Sequence, residues 1–470
     1  MIFVDDLRPT LGCYGDKVVK SPNIDRFAAT ARQFDRAYCH QAVCGPSRAS
    51  ILTGRLPDNT GVWHNRNLFR TTQPDLVTLP QLFKNNSWHA QSLGKVFSGD
   101  ERELDPASWS EPEVLRQTGW KNYLQRDNDE GQGKGLPFEK ADVPDDAYPD
   151  GKLANLAVES LAKLKQLSQP FFLAVGFFRP HLPFSAPKKY WDLYDPAVFA
   201  LHGNPARTRG APEVAYPDHL ELAGYRGIPD DERVSPEQAR DLRHGYHACI
   251  SYTDAQIGKL LDELKRLGLA SNTIVVLLGD HGYSLGEADH WCKDTNFELD
   301  THVPLLIRAP GVKPGRTQAL TEYVDIYPTL AALAGLKPAG PLDGQSLVPV
   351  LNDASAKGRN MVLSQFSRPF RGGNPEVMGY SIRTETHRYT RWIEWSTKKL
   401  MSEELYDYTD AASVKLQPPY WIETQNIADQ SGRSSLKTTM SSQLDALLSQ
   451  RVKTVAVEAT TKKPKKKKKP

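Results

Sequence analysis

The sequence predicts an α/β protein in which a large, mixed and mostly parallel sheet lies between layers of helices, with a smaller α+β subdomain at the C-terminal end. Continuous apolar stretches of strand length alternate with amphipathic helical stretches, which is typical of a sheet covered on both faces. Polar residues directly follow several of the apolar stretches. After about residue 355 the pattern changes to short alternating stretches followed by one polar helix.

The N-terminal segment supplies a strand, a pair of acidic residues and a helix. Residues 2–4 read as the end of a buried strand, and Asp5 and Asp6 lie on the loop that leaves it. Ser21 and Pro22 predict the cap and the first turn of a helix. In open α/β sheets functional residues gather at the carboxyl ends of strands, so Asp5 and Asp6 are candidate functional residues.

Helix and strand then repeat along the chain. The predicted helices cover residues 153–167, 239–267 and 325–334, and the predicted strands cover 171–178, 273–278 and 301–307. Gly268 ends the second of these helices. Asp280 and His281 follow the strand at 273–278, and His181 follows the strand at 171–178. We therefore expect these three side chains at the same edge of the sheet as Asp5.

Two segments without period and the C-terminal part complete the predicted organisation. Residues 96–150 and 195–240 are rich in Pro, Gly, Asp and Arg, which predicts long loops or lids that shape access to the site. The predicted domains are an α/β domain over residues 1–355, a smaller subdomain over 356–455 and a disordered lysine-rich tail over 456–470. Short strands at 361–366 and 380–395 and a helix at 435–452 are expected in the smaller subdomain.

Charge and composition limit the partners and the compartment. The net charge is +3 over 470 residues, but the last ten residues hold seven lysines, so the rest of the chain carries −4. This predicts no specific nucleic-acid partner; loose binding of the tail to a polyanion is the alternative. No run of 18 apolar residues occurs, so no membrane span is expected. No signal peptide follows Met1, which predicts a cytoplasmic protein as written, and a periplasmic or secreted one if the sequence is truncated.

The most informative motif begins at Cys44. Residues 44–48 read Cys-Gly-Pro-Ser-Arg, and residues 52–55 read Leu-Thr-Gly-Arg. Pro46 suits a first helical turn and Gly54 suits a helix end, so Cys44 is expected at a helix N-terminus, where unpaired N–H groups favour an anion. Arg48, one turn further on, adds a full positive charge. The alternative is a buried structural cysteine, which is the commoner role of a single cysteine.

This motif resembles the signature of the sulfatase family. Further matches lie around Asp5, Lys95, His181, Asp280 and Lys293, and the resemblance is strongest to the iduronate-2-sulfatase branch with its bacterial relatives. It implies an alkaline phosphatase/sulfatase-like fold, a sulfated carbohydrate substrate and a maturation enzyme that converts Cys44 to formylglycine, the nucleophile of the family.

The resemblance also implies the roles of the site residues. Asp5, Asp6, Asp280 and position 44 would bind a divalent metal, Ca²⁺ first and Mg²⁺ second, because hard cations prefer carboxylate oxygens. His281 is a weaker candidate ligand, since many relatives have Asn there. The remaining roles go to Lys95 and Lys293, which would bind sulfate oxygens, and to His181, which would protonate the leaving alkoxide.

One departure and two alternatives stay open at this stage. Ser98 stands where close relatives have a histidine that helps to release sulfate, which predicts slower turnover and weakens the substrate assignment. Phosphoester or phosphonate monoester hydrolases of the same superfamily are the first alternative. A non-catalytic protein that binds sulfated glycans, with Cys44 unmodified, is the second.

Overall fold

The computed structural model describes residues 1–98, 105–114, 123–125, 128, 135–199, 206–370, 374–409, 413–415 and 421–453. The strands are β1 (Ile2–Val4), β2 (Arg32–Tyr38), β3 (His89–Gly94), β4 (Phe138–Glu139), β5 (Phe171–Phe177), β6 (Phe184–Ser185), β7 (Val275–Gly279), β8 (Ser284–Leu285), β9 (Trp291–Cys292), β10 (His302–Arg308), β11 (Gly315–Thr317), β12 (Thr321–Glu322), β13 (Val362–Arg368), β14 (Val377–Arg383), β15 (His387–Glu394), β16 (Leu400–Asp407), β17 (Ser413–Lys415) and β18 (Trp421–Glu423). The α-helices are α1 (Pro22–Ala28), α2 (Cys44–Thr53), α3 (Pro57–Thr60), α4 (Phe69–Thr72), α5 (Leu79–Asn85), α6 (Pro149–Leu164), α7 (Lys188–Trp191), α8 (Pro236–Arg266), α9 (Glu298–Thr301), α10 (Ile326–Leu333), α11 (Val348–Asn352) and α12 (Ser434–Arg451).

Eight strands form the large sheet. Their order is β11, β2, β10, β7, β1, β5, β3, and β12 pairs with β2. Strand β10 is antiparallel to β2 and β7, and the other pairings are parallel. The predicted mixed, mostly parallel sheet is therefore confirmed.

Both faces of this sheet are covered because its strands are apolar on both sides. In β1, Ile2 and Val4 pack in one core with residues of α1, α6 and α8, whereas Phe3 packs in a second core with residues of α2, α5 and α10. The helix at 239–267 is confirmed as the longer α8, which begins in a capping box formed by Ser235 and Gln238. Gly268 follows its end with a φ of +71°.

Two local predictions are corrected by the structure. Helix α1 begins at Pro22 as expected, but the Ser21 hydroxyl does not cap it. This hydroxyl instead accepts a hydrogen bond from the Gly12 backbone N–H, because the preceding loop folds over the helix start. The stretch 380–395 is not one strand: it spans the end of β14, a turn and β15.

The C-terminal part contains a four-stranded antiparallel sheet in the order β13, β14, β15, β16. Helix α12 packs on this sheet through Met440 and Leu444, which share a core with Tyr389 and Leu405. The α+β character of this part is confirmed, and the boundaries at residues 355 and 455 stay predictions. The lysine-rich tail lies outside the described residues.

The two segments predicted as loops have little regular structure where they are described. Strand β4 and a few short 3₁₀ helices lie in them, and α6 and α8 each begin just inside their ends. Among the described residues, no helix is both long and apolar enough to cross a bilayer. All five cysteines are described, and each is free.

Candidate active site

The site lies at the carboxyl ends of four neighbouring parallel strands. Strand β1 runs between β5 and β7, and two backbone hydrogen bonds extend this pairing past the strand ends: Asp5 N–H donates to Phe177 O and Asp280 N–H donates to Val4 O, both over 3.2 Å. Asp5 and Asp280 therefore leave the sheet side by side. Lys95 follows β3 and His181 follows β5 at the same edge.

Cys44 is the first residue of α2, as predicted, and it is buried. Its Sγ lies 3.4 Å from Asp5 Oδ1, 3.4 Å from His281 Nε2 and 3.4 Å from Lys95 Nζ. Burial and the Asp5 carboxylate raise the pKa of the Cys44 thiol well above its ordinary value. The unmodified side chain is therefore held as a thiol and lacks the thiolate that nucleophilic cysteines use.

Arg48 lies beneath the cysteine as a fully buried cation. Its Nε donates to Asp280 Oδ2 over 2.8 Å, its Nη2 donates to Asp5 Oδ1 over 3.1 Å, and its Nη1 donates to the carbonyl of Lys95. Although burial raises the pKa of the Asp5 carboxyl, Lys95 and Arg48 hold it well below its ordinary value. Asp5 is thus a carboxylate, and Arg48 fixes the relative positions of three strand ends.

Four side chains are arranged as a cation site. The possible ligand atoms of Asp5, Asp6, Cys44 and His281 all lie within 4.8 Å of one another. His281 Nδ1 lies 3.0 Å from Gly282 O, which orients that nitrogen as the donor and leaves Nε2 as an acceptor towards the cluster. Two carboxylates, one imidazole nitrogen and the side chain at position 44 fit a divalent cation.

Asp280 lies next to this group with a different set of contacts. Its Oδ1 accepts hydrogen bonds from the backbone N–H groups of Asp6 and His281, both over 3.0 Å, and its Oδ2 accepts from Arg48. It is not among the four side chains whose ligand atoms converge. Its place in the predicted ligand set stays a prediction. In the structure its hydrogen bonds fix the backbone of Asp6 and His281 and the side chain of Arg48.

Two lysines bring positive charge to the cluster, one to each of the two neighbouring aspartates. Lys95 Nζ donates to Asp5 Oδ2 over 2.5 Å, and Lys293 Nζ donates to both oxygens of Asp6 over 2.9 and 3.0 Å. Burial opposes the charged form of each lysine, but the adjacent carboxylates raise both pKa values above the ordinary value. Both side chains are therefore cations placed to contact an anionic group.

The loop that carries Lys293 has an unusual backbone. Cys292 and Asp294, on either side of the lysine, have φ values of +69° and +83°. Residues other than glycine rarely adopt this left-handed conformation, which costs on the order of 1–3 kcal/mol each and concentrates at functional sites. The hydrogen bonds from Lys293 Nζ to Asp6 help to offset this cost.

His181 lies at the rim of the cluster beside a residue that sequence reasoning missed. His181 Nε2 is 4.0 Å from Asp6 Oδ2 and 3.5 Å from Glu221 Oε1, and Lys293 Nζ is 3.0 Å from Glu221 Oε2. Burial lowers the pKa of His181. Glu221 lies in the stretch 195–240, where no period or motif singles it out. The prediction that this stretch is a lid over the site is the one signal that could have pointed to it.

Ser98 lines a cavity of about 100 Å³ together with Gly45, Phe97 and Asp105. This cavity is next to the start of α2, so the departure from the family pattern falls beside position 44. The predicted residues Asp5, Asp6, Cys44, Arg48, Lys95, Asp280, His281 and Lys293 are thus joined by direct contacts into one buried cluster, with His181 at its edge.

The chain is similar to known proteins over most of its length. The family model described as Sulfatase matches residues 1–336, and a second, described as N-sulphoglucosamine sulphohydrolase, C-terminal, matches residues 286–450. The chain is 34% identical to human iduronate 2-sulfatase over 91% of this chain and 90% of that protein. It is 30% identical to choline-sulfatase of Rhizobium meliloti over 75% of this chain and 71% of that one.

Among solved structures, a phosphonate monoester hydrolase from Silicibacter pomeroyi superposes with a TM-score of 0.74 at 24% identity, covering 96% of this chain and 94% of that one. The fold is therefore that of the sulfatase and phosphonate monoester hydrolase class. With a family match over most of its length, the chain belongs to the sulfatase family.

Proposed function

We propose that this protein is a sulfuric ester hydrolase that removes sulfate from a sulfated sugar. The observation that carries the proposal is the position of Cys44 at the start of α2, with its Sγ 3.4 Å from a carboxylate, an imidazole nitrogen and an ammonium group. In this family formylglycine at that position supplies the nucleophile and a divalent metal supplies Lewis-acid polarisation. Asp5, Asp6 and His281 would bind that metal, Ca²⁺ or alternatively Mg²⁺.

The charges of the site favour a sulfate ester over a phosphate monoester. The cations Arg48, Lys95 and Lys293 face four carboxylates, those of Asp5, Asp6, Asp280 and Glu221. With the histidines left aside, a divalent cation would leave a net charge of about plus one. A sulfate monoester carries one negative charge and a phosphate monoester carries up to two, so the singly charged ester matches the site better.

The side chains divide the work of the reaction. Lys95 and Lys293 would each donate to sulfate oxygens and hold the sulfur in line with position 44. Asp280 would accept the proton of the attacking hydroxyl. When the bond between sulfur and the sugar oxygen breaks, its electron pair stays on that oxygen, which would take a proton from Nε2 of the doubly protonated His181 ring. Arg48, which bridges Asp5 and Asp280, keeps the carboxylates in place throughout.

The test begins with the state of residue 44 in protein co-expressed with a formylglycine-generating enzyme. The tryptic peptide covers residues 37–48 and also contains Cys39, so fragment ions must assign the change to position 44. We expect a peptide about 18 Da lighter, release of sulfate from a sulfated glycan, and no release by Cys44→Ala. The matched control is Cys13→Ser, since Cys13 lies outside the cluster and should leave turnover unchanged.

The outcomes separate the alternatives. Turnover of an aryl phosphate faster than of an aryl sulfate would support a phosphoester or phosphonate monoester hydrolase instead. An intact thiol at position 44 with no turnover and retained binding of sulfated glycan would support a non-catalytic binding protein. Sulfate release that survives Cys44→Ala would overturn the proposed mechanism.

The similarity to human iduronate 2-sulfatase makes an iduronate 2-sulfate the first substrate to assay. Heparan, dermatan and marine-type sulfated glycans should be compared in parallel. Restoring a histidine with Ser98→His should raise kcat if the missing histidine slows sulfate release, because a positioned general base contributes about 10²–10⁴ in rate.

A further inference from the structure

Glu221 occupies a position that no expected catalytic role explains. Its carboxylate is mostly buried, with 15% of the side chain exposed, although it lies in the long segment between α7 and α8 that carries little regular structure. Oε2 is 3.0 Å from Lys293 Nζ and Oε1 is 3.5 Å from His181 Nε2. One carboxylate thus contacts two side chains to which the proposed function assigns separate roles.

The geometry of His181 shows what this contact does. His181 Nδ1 lies 2.6 Å from Leu182 O, so Nδ1 is the donor to that carbonyl and Nε2 faces the cluster. Among the described residues, two carboxylates lie near Nε2: Asp6 at 4.0 Å and Glu221 at 3.5 Å. Asp6 also faces Lys293 and the cation site, so its oxygens are already engaged. Glu221 is the nearer carboxylate and the one outside the cation site.

Lys293 fixes the acceptor itself. Its ammonium lies between Asp6 and Glu221, 2.9 Å from Asp6 Oδ1 and 3.0 Å from Glu221 Oε2, and these two contacts hold it there. A carboxylate that pairs with a cation of fixed position is itself held in one place, which is what an orienting acceptor requires. The chain Lys293, Glu221, His181 therefore sets the direction of Nε2.

We propose that Glu221 is a positioning residue that directs the Nε2 proton of His181 towards the leaving oxygen of the substrate. This role rests on the proposed function and adds to it. In the step concerned, the bond between sulfur and the sugar oxygen breaks, and the oxygen takes the Nε2 proton of the doubly protonated His181 ring, while Nδ1–H stays hydrogen-bonded to Leu182 O. Glu221 acts through His181: its contact with Nε2 keeps the imidazole from turning away.

The test uses the dependence of the rate on the leaving group. A sugar alkoxide is a poor leaving group and needs the proton, whereas 4-nitrocatechol leaves readily without one. In the matured protein, Glu221→Gln should lower kcat on a sugar sulfate by at least about tenfold and kcat on 4-nitrocatechol sulfate by less than about threefold. The aryl sulfate rate also shows that the variant is folded and matured.

Two further variants complete the design. Glu213→Gln is the matched control, because Glu213 lies in the same segment, is exposed and pairs only with Arg207 among the contacts that the structure gives. It should change neither rate. Combined with His181→Gln, Glu221→Gln should have no further effect, since both changes remove the same proton transfer.

The results distinguish this inference from the function on which it rests. If the unchanged protein hydrolyses neither substrate, the proposed function fails and the role of Glu221 fails with it. If it hydrolyses both, and Glu221→Gln lowers the two rates equally or not at all, the function stands and the positioning role is overturned. Additive effects of the Glu221 and His181 changes would overturn it as well.

Discussion

Two regions of this molecule each bury a dense group of charged side chains, and the two groups differ in what their carboxylates contact. At the strand ends, Asp5, Arg48 and Lys95 surround Cys44. Between the large sheet and the C-terminal sheet, Glu298 at the start of α9 accepts hydrogen bonds from Arg383 Nε over 3.0 Å and from Arg388 Nη2 over 2.6 Å. Most of the charged side chains in both regions are buried.

The difference lies in what the carboxylates face. Each oxygen of Glu298 is satisfied by a donor of the protein, since Tyr38 OH donates to Oε1 over 2.8 Å and two arginines donate to Oε2. At the strand ends, oxygens of Asp5 and Asp6 converge instead with a sulfur and an imidazole nitrogen within 4.8 Å. Buried charge alone therefore does not mark a functional site, whereas converging ligand atoms do.

The largest effect is expected from Asp5→Asn. The change removes a charged ligand and leaves Arg48 and Lys95 facing an amide, so we expect loss of the bound divalent ion and a fall in kcat/KM of about 10⁴-fold or more. Metal content of the purified protein and turnover of a sulfate ester are the measurements. The role of the cluster is contradicted if the variant keeps both its metal and its activity.

The matched control is Asp35→Asn. Asp35 is also mostly buried and is paired with an arginine, since Arg316 Nη2 lies 3.0 Å from its Oδ1, but it lies on β2 outside the cluster. It should cost stability and leave the metal content unchanged.

The second effect concerns Glu298 and its three donors Tyr38, Arg383 and Arg388, which we call the closed network. Arg388→Met leaves Glu298 with one arginine fewer in a buried site, and breaking such a pair costs about 3–5 kcal/mol of unfolding free energy. Urea unfolding should show this loss, while kcat per folded molecule stays unchanged. Arg391→Met, also on β15, is the control: its partner Asp445 is 62% exposed, so the loss should stay below about 1 kcal/mol.

Part of the active site could be predicted from the sequence. Asp5 and Asp280 lie just after apolar stretches, and the rule that functional residues lie at the carboxyl ends of strands brings them together without knowledge of the strand order. Lys95 is identified only through the resemblance, because residues 89–94 before it read His-Ala-Gln-Ser-Leu-Gly and predict no buried strand. The mixed sheet and its two helical layers follow from the same alternation of apolar strands and amphipathic helices.

The closed network and Glu221 could not be predicted. Glu298 and Arg388 are 90 residues apart in the chain, and nothing local in either segment specifies their pairing. Glu221 lies in a segment without hydrophobic period, so its position depends on packing against Lys293 and His181 rather than on any element of its own. Local sequence patterns predict which helix or strand a residue lies on, whereas contacts of this kind form only when helices, strands and loops pack together.

The smallest predicted effect is on the pH dependence of the unfolding free energy. Glu404 on β16 is buried, and burial raises its pKa from 4.5 to about 7, although Trp392 Nε1 donates to it over 2.7 Å. Below pH 4.5 the group is protonated in both the folded and the unfolded chain. Between pH 4.5 and 7 the unfolded chain loses this proton first, so stability falls as the pH rises, by about 3 kcal/mol in total.

Glu404→Gln removes this titration. The variant should match the unchanged protein near pH 5 and exceed its unfolding free energy by up to about 3 kcal/mol at pH 8, measured by urea unfolding at both pH values. Glu403→Gln is the control, because its carboxylate pairs with Lys437 Nζ at 3.2 Å and its loss gives no gain at pH 8. Equal stability of Glu404→Gln and the unchanged protein at pH 8 would mean that Trp392 and Tyr406 hold Glu404 as a carboxylate, and the C-terminal sheet would then resemble the active site in keeping its buried acids ionised.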